Sequence, residues 1–411
     1  MRGKTIQPAR LKDGSELKPN VLQLIGSFHQ GGSERQAVQL ARLLKGSGRY
    51  NVRVACMDRA GVLGGEVESL ALGEIPEYRL TSFYDRNALT EIRRFALHLQ
   101  KRGIDIIQTH DFYTNVFGMA AARLARVPVR IAARRETTGW RTRAQKIVER
   151  NAYRFAHAIV ANSEAVRHQL IKEGVGAKKI VTVYNGLDRA RVTVPPDFKR
   201  EEALAELGLQ TEANCRFVTI VANLRHEVKD HATFLRAARR VRDRVPESRF
   251  VIAGEGELTD SMRALAAGLG IERDVFFAGR TERVAPLLAV SDVCVLSSKA
   301  EGFSNSILEY MAAARPVVVT DVGGAREAVT DGEAGYIVAA GDDPVMADRI
   351  VRLLGDPERA RAMGERGRQI VEQKFSCEAQ LEQVEKLYDR MIAATTRPVP
   401  QSFNNARSEI V

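Results

Sequence analysis

The stretch "RARVTVPPDFKREEALAELGLQTEAN" (189–214) is dense in charge, carries Pro195–Pro196, and breaks a pattern that runs on both sides of it. Before the break, short apolar runs of strand length recur: "VLQLIG" (21–26), "VRVACM" (52–57), "IDIIQT" (104–109), "VRIAAR" (129–134), "AIVANS" (158–163) and "IVTVYN" (180–185). Amphipathic stretches of helical period lie between them, near 33–45, 90–102, 114–126, 142–155 and 164–173. After the break the pattern restarts with "FVTIVAN" (217–223), "RFVIAGE" (249–255), "VFFAG" (275–279), "VCVLSS" (293–298), "VVVTD" (317–321) and "GYIVAA" (335–340). Helices are expected near 230–243, 258–269, 282–289, 304–314 and 344–354. Such alternation is the mark of a parallel sheet wrapped by helices. The fold class is therefore α/β, with two doubly wound domains of similar size. Sites in such sheets lie beyond the C-terminal ends of the strands, so the chemistry is expected in a cleft between the domains.

The reading places a flexible segment at 1–19, one domain at 20–195, a linker at 196–214 and a second domain at 215–375. An amphipathic helix at 376–394 is able to cross back to the first domain, and 395–411 reads as a flexible tail. At 411 residues the chain exceeds the usual size of a single core, which agrees with two domains. Its 45% hydrophobic and 27% charged residues are ordinary for a globular protein. No apolar run approaches the roughly 18 residues that span a bilayer, and the polar N-terminus lacks the apolar stretch of a signal peptide. A cytoplasmic location is expected. The four cysteines Cys56, Cys215, Cys294 and Cys377 are far apart and form no CxxC pair, which favours reduced core thiols over a disulfide framework or a zinc site.

The formal charge is +11, and it is uneven. Between Arg123 and Arg154 stand ten Arg or Lys against only Glu136 and Glu149. Arg134, Arg135, Trp140, Arg141 and Arg143 lie at the middle of this cluster. It suits nucleic acid, anionic lipid or a phosphorylated substrate. For any single arginine, a solvated helix face is the plainer explanation.

Four strand ends carry candidate chemistry. The first strand leads into "GSFHQGGSERQAVQLA", where Gly31 and Gly32 make a tight turn into a helix. Such a turn lets a ligand approach backbone N–H groups at the positive end of the helix dipole, although it serves equally well as a turn. It is not GxGxxG, so a dinucleotide reading is weak. "QTHDF" (108–112) puts His110 where a strand leaves the sheet, with no Ser or Cys partner for a hydrolase triad. "VANLRHEVKDHATFLRAA" (221–238) places Arg225 and Lys229 after a strand, a fork and a point charge suited to a diphosphate. "EGFSNSILEY" (301–310) offers Ser304 as an N-cap, with the N–H groups of Asn305, Ser306 and Ile307 open to an anion. Glu309, about one and a half turns into that helix, suits a vicinal diol such as ribose. Glu301, ahead of the cap, suits sugar hydroxyls. A capped amphipathic helix explains Ser304 but not Glu301, Gly302 and Glu309 together.

On these motifs the sequence resembles the retaining glycosyltransferases of family 4. The resembling pieces are "GGSE" (31–34), "THD" (109–111), "ANSE" (161–164), "VYNGLD" (183–188), "VANLRHEVKD" (221–230), "VIAGEGE" (251–257), "FFAGR" (276–280), "EGFSNSILE" (301–309) and "VVVTDVGGAREAV" (317–329). They keep the family's order from about residue 20 to 375, and Glu301 and Glu309 fit its pair of glutamates separated by seven residues. The resemblance implies the GT-B fold, two Rossmann-like domains facing a central cleft, with acceptor held by the first and nucleotide-sugar by the second. It implies that Glu309 holds the ribose, Glu301 the donor sugar, and Lys229 with Arg225 the diphosphate. It further implies that Ser304, Asn305 and Ser306 present a helix N-terminus to phosphate and that the loop at Arg280 flanks the base. Gly31 and Gly32 would lie against the diphosphate, and His110 would touch the donor sugar. One departure stands out. Where the family often has Gly-Arg-Leu, this chain has Ala222, Asn223 and Leu224, with arginine two places on at Arg225. Lys229 is therefore the safer of the two cations.

These residues lead to an expected activity: retaining transfer of a hexose or N-acetylhexosamine from a nucleotide-diphosphate sugar to a glycan or lipid-linked acceptor. A UDP-sugar is favoured and GDP-mannose comes second. The nucleotide-sugar is a co-substrate, so no cofactor is required. No DxD-like pair stands at a strand end, which predicts independence of metal. The alternatives of the same fold are a soluble sucrose- or glycogen-synthase-like transferase and a sugar-nucleotide epimerase. The epimerase normally needs acid/base carboxylates, for which no candidates are clear. A nucleic-acid binder is a third reading, weakened because the basic cluster lacks interleaved stacking aromatics. The cluster is better assigned to an anionic membrane surface beneath a lipid-linked acceptor, with the protein peripheral on the inner face of the cytoplasmic membrane.

Overall fold

The structure, a computed structural model, describes residues 18–29, 31–80, 82, 86–137, 142–209, 214–281 and 284–396. Its first half runs β1 (Asn20–Ser27), α1 (Gly32–Gly46), β2 (Asn51–Asp58), α2 (Gly64–Ser69), α3 (Arg86–Lys101), β3 (Ile106–Thr109), α4 (Phe112–Ala125), β4 (Val129–Arg134), α5 (Arg143–Phe155), β5 (Ala158–Ala161), α6 (Glu164–Lys172) and β6 (Ile180–Thr182). These strands form one sheet in the order β2-β1-β3-β4-β5-β6.

After α7 (Arg200–Glu206) come β7 (Arg216–Val221), α8 (His231–Arg244), β8 (Ser248–Ala253), α9 (Thr259–Gly268), β9 (Val275–Gly279), α10 (Val284–Val290), β10 (Val293–Leu296), α11 (Asn305–Ala312), β11 (Val317–Thr320), α12 (Ala325–Ala328) and β12 (Gly335–Val338). This second sheet is ordered β12-β11-β10-β7-β8-β9. The chain closes with α13 (Asp343–Gly355), α14 (Pro357–Lys374) and α15 (Cys377–Thr396).

Two compact units result. One takes the chain up to Ala133, Ile147–Ile159 and the chain from Glu382 on; the other takes Arg134–Lys146 and Val160–Leu381. In the first unit β1 pairs in parallel with β2 and β3, and Gln23 is registered opposite Gln108 and Leu24 opposite Thr109. Leu22, Leu24, Ile25, Phe95, Ile107 and Phe117 are buried there, with the rings of Phe95 and Phe117 stacked at 5.4 Å. In the second unit Val218, Ile220, Phe234, Phe250, Ile252, Val295 and Val318 lie in one apolar cluster. Strands buried on both faces read as continuous Val/Ile/Leu runs, which is why each was visible in the sequence. Cys56, Cys215 and Cys294 are buried free thiols. Burial pushes the thiols of Cys56 and Cys294 up to about 12, so both are inert packing groups.

All twelve expected strands are present, several ending two residues before the apolar run does. Four helices were not foreseen: α2, α7 within the expected linker, α12, and the 18-residue α14. Helix α14 carries few apolar residues because part of its packing face is glycine. A Cβ on Gly364 would stand 2.1 Å from the Ala314 carbonyl oxygen, and one on Gly367 would stand 3.2 Å from Met311. Close backbone approach replaces side-chain burial there, and a hydrophobic pattern cannot register it.

Candidate active site

In the second unit, the loops after β7 and β10 are tied together. The Ser297 hydroxyl donates to the Lys229 carbonyl (2.9 Å), and the Lys299 N–H donates to the Val228 carbonyl (2.8 Å). The Lys229 ammonium donates to Glu301 Oε1 at 2.6 Å, and the Ser298 hydroxyl donates to the same oxygen at 2.7 Å. Asp230 is held at φ 47°, ψ 50° and caps α8 through the Thr233 N–H and hydroxyl. That left-handed turn aims Lys229 back toward Glu301 instead of continuing a helix past it. Gly254 and Gly256 brace the same region. A Cβ on either would fall 2.0–2.2 Å from the backbone of Ala222 or Leu224.

Glu301 is fixed from its other side as well. Its carbonyl accepts from the Thr137 hydroxyl at 2.7 Å, and Gly302 bridges Glu136 so closely that a Cβ would stand 2.0 Å from the Arg135 carbonyl oxygen. Only glycine fits that approach. The Gly302 carbonyl accepts from the Ser163 hydroxyl (3.0 Å) and the Gly324 N–H (2.8 Å).

Helix α11 begins where the sequence places it, but its cap differs. Ser304 occupies the N-cap position without a side-chain capping bond, so the first N–H groups of α11 keep their electrostatic pull on an outside anion. The Ser306 hydroxyl donates inward to the Val221 carbonyl at 2.9 Å, so what Ser306 presents at the helix start is its backbone and not its hydroxyl proton. Asn305 Oδ1 accepts from Asn185 Nδ2 at 2.8 Å, and Asn185 Oδ1 accepts from Arg135 at 2.7 Å. Asn185 thus fixes the first residue of α11, a role that nothing in the sequence reading assigned to it. The buried Tyr310 hydroxyl accepts from the Val221 N–H at 2.7 Å, and burial pushes that hydroxyl far above its usual pKa.

Glu309 is 6% exposed on α11, with Arg191 3.7 Å from its Oε1. Arg191 was missed because it falls in the charged break 189–214, where one more arginine does not stand out. Arg225 is exposed, and its guanidinium has no ion-pair partner among the described residues; its N–H donates to Asn223 Oδ1 at 3.4 Å. Arg280 is exposed just past Gly279 at the end of β9. His231, next to Lys229 and Asp230, is buried with Nε2 lacking a hydrogen bond, and burial lowers its pKa to about 4 despite a bond to the Ala222 backbone.

In the first unit, Gly31 is the N-cap of α1, and a Cβ there would stand 2.1 Å from the Glu34 carboxylate. Gly32 is the first residue of that helix. "THD" is structurally accounted for at every position. The Thr109 hydroxyl donates to Asn115 (2.6 Å), and Asp111 caps α4 in a capping box with Thr114. His110 lies at the end of β3, 1% exposed, with its N–H on the Thr114 hydroxyl (3.1 Å) and Nε2 on Gln23 Oε1 (2.8 Å).

The basic cluster is smaller at the surface than in the sequence. Arg134 is buried and grips Glu173 in a bidentate ion pair, while also donating to the Glu136 and Thr137 carbonyls; it is a structural residue, which corrects its assignment to an exposed surface. Burial alone would raise the Glu173 carboxyl, but the hydrogen bonds from Arg134 and Gln169 outweigh it and hold it below its ordinary range. Arg135, half-buried, serves Asn185 as described, which corrects its place on that surface. Trp140 and Arg141 lie outside the described residues. Arg143 is exposed at the start of α5, where Lys146, Ile147, Arg150 and Arg154 continue an exposed stripe at helical spacing. Among the described residues, no group of three or more His, Cys, Asp or Glu is placed to hold a metal ion, and no helix is long and apolar enough to cross a membrane.

Comparison with known proteins agrees with this architecture. Residues 30–191 match the profile described as Glycosyltransferase Family 4, and residues 215–356 match Glycosyl transferases group 1. N-acetyl-alpha-D-glucosaminyl L-malate synthase of Bacillus anthracis is 34% identical over 54% of this chain and 55% of its own length. The capsular polysaccharide biosynthesis glycosyltransferase CapM of Staphylococcus aureus is 26% identical over 74% of this chain and 81% of its own. The chain spans about half the length of the first curated relatives it matches. The crystal structure of Anabaena HepE in complex with UDP-glucose superimposes with a TM-score of 0.79 over 90% of this chain and 99% of that one, at 21% identity, a likeness of fold. The two parallel six-stranded sheets and the two consecutive profile matches place this chain in the GT-B-fold glycosyltransferases of family 4.

Proposed function

We propose that the protein transfers a hexosyl or N-acetylhexosaminyl group from a nucleotide-diphosphate sugar to a glycan or lipid-linked acceptor, with retention at the anomeric carbon. The observation that carries this reading is the 2.6 Å Lys229–Glu301 pair beside the start of α11, whose N-cap side chain makes no capping bond. A phosphate-like anion is the natural complement to an ammonium next to a helix N-terminus. Arriving diphosphate competes with Glu301 for Lys229. The carboxylate so released is then available to the hydroxyls of the sugar. Glu309, four residues into the same helix, takes the ribose diol, with Arg225 on the phosphates and Arg280 beside the base. The family resemblance further implies that His110 would touch the transferred sugar and that Gly31 and Gly32 would lie against the diphosphate.

The bond that breaks joins C1 of the sugar to the leaving phosphate oxygen, and the bond that forms joins C1 to the acceptor oxygen on the same face. The acceptor proton goes to the leaving phosphate. Negative charge grows on that phosphate as the bond stretches, and Lys229 with the α11 N-terminus stabilises it from fixed positions. These cations stand where a divalent metal would otherwise act, so turnover in excess chelator is expected. Glu301 is held by both Lys229 and Ser298, which favours a hydroxyl reader over a covalent nucleophile. A UDP-sugar is the favoured donor, in keeping with the UDP and UDP-glucose complexes of the fold relative HepE; GDP-mannose is next. The exposed basic stripe of α5 suits an anionic leaflet on the cytoplasmic side, where a lipid-linked acceptor would be presented.

Thermal protection by UDP-, GDP- and ADP-sugars tests the reading. Selective stabilisation by one nucleotide series is expected. No protection by any of them at millimolar concentration would contradict it.

A further inference from the structure

His110 ends a chain of buried polar side chains that the proposed chemistry does not explain. Gln23 on β1 and Gln108 on β3 are registered neighbours, so both side chains emerge on one face of the sheet. Tyr388 on α15 reaches both, and all four side chains are at most 1% exposed. The Tyr388 hydroxyl donates to Gln108 Oε1 at 2.7 Å and accepts from Gln23 Nε2 at 3.0 Å. Gln23 then turns its Oε1 to His110 Nε2 at 2.8 Å. Three uncharged polar side chains set beside a histidine inside a parallel sheet cost desolvation that apolar residues would avoid.

We propose that Tyr388 and Gln23 are positioning residues that fix the ring orientation and tautomer of His110. With its amide nitrogen committed to Tyr388, Gln23 can present only an acceptor to the histidine. The proton of the neutral imidazole therefore sits on Nε2, and the lone pair sits on Nδ1. The C-terminal helix thus sets the hydrogen-bonding sense of a residue at the end of β3. Removing the Tyr388 hydroxyl frees the Gln23 amide to rotate by half a turn, which would offer His110 a donor and move its proton to Nδ1. The value of this control to the enzyme rests on the proposed contact between His110 and the donor sugar; the control itself does not.

The test is long-range proton–nitrogen NMR on histidine-labelled protein at pH 8, with His110→Gln identifying the His110 signals among the seven histidines. The wild type is expected to show Nε2 protonated and Nδ1 unprotonated. Tyr388→Phe is expected to shift the His110 nitrogens toward the opposite tautomer, while Gln23→Glu, which keeps an acceptor facing the ring, retains the wild-type pattern. A wild type protonated at Nδ1 overturns the proposal, as does a folded Tyr388→Phe variant with unchanged His110 nitrogens. Should Tyr388→Phe not fold, Gln23→Met decides the same question by the same shift. His110→Ala separates the two readings. Undiminished UDP-sugar turnover in that variant removes the donor contact and leaves the tautomer result standing.

Discussion

Lys229 and Glu301 satisfy each other in the second unit: the ammonium donates to Oε1 at 2.6 Å, with Ser298 on the same oxygen. On the proposed reading, in which Lys229 binds the diphosphate, a carboxylate that neutralises that ammonium weakens phosphate binding. Glu301→Gln therefore has an unusual expected signature, tighter UDP binding together with slower sugar transfer. Titration calorimetry and initial rates on one preparation check it. Weaker UDP binding in Glu301→Gln would show that the pair is not in competition with the diphosphate.

Glu309 offers a second, separable measurement. A hydrogen bond to a charged acceptor contributes about 1.5–3 kcal/mol, so Glu309→Gln should weaken UDP about tenfold or more. Wild type should also discriminate UDP from its 2′,3′-dideoxy form, and the variant should lose that discrimination. Equal discrimination in both proteins would move the ribose elsewhere.

His231 predicts a pH dependence of stability. Burial lowers its pKa from 6.5 to about 4 in the folded chain. As pH falls the unfolded chain takes up this proton first, so the contribution is full above 6.5 and is lost between 6.5 and about 4. Its size is about 3 kcal/mol over that window. The Glu173 carboxyl, whose pKa is lowered, contributes above its unfolded value and is lost only at lower pH. Unfolding curves of His231→Gln should be flatter than wild type from pH 6.5 to 4.5; an identical slope would remove His231 from the account.

The stripe Arg143, Lys146, Arg150 and Arg154 is exposed on α5. Each basic residue near an anionic surface contributes about 1 kcal/mol. Arg143→Glu with Arg150→Glu should lower flotation with anionic liposomes by more than tenfold and leave neutral liposomes unaffected. Equal flotation of the wild type on neutral and anionic vesicles would count against a membrane role.

Much of this architecture was readable because parallel strands announce themselves. Runs such as "VVVT" and "VCVL" are buried on both faces and need no partner to be recognised. The candidate site residues stood out for a different reason: Lys229 and Glu301 sit in loops after strands, and Glu309 is an acid inside an otherwise apolar helical turn. What stayed hidden depends on contacts far apart in sequence. Nothing local says that Arg134 is buried on Glu173, that Arg191 in a charged break reaches Glu309, or that Ser306 turns inward to Val221. Tyr388 is more remote still, 365 residues from Gln23. Helix α14 was hidden because glycines, not apolar side chains, make part of its contact.

The central claim is that Lys229 and the start of α11 hold the diphosphate of a nucleotide-sugar. Calorimetric titration of UDP into wild type and Lys229→Ala tests it most directly, with circular dichroism confirming that the variant is folded. The account predicts at least a tenfold loss of UDP affinity, about 1.4 kcal/mol, and a fall in sugar transfer of about 100-fold. Equal UDP affinity and near-normal transfer in a folded Lys229→Ala protein would contradict it.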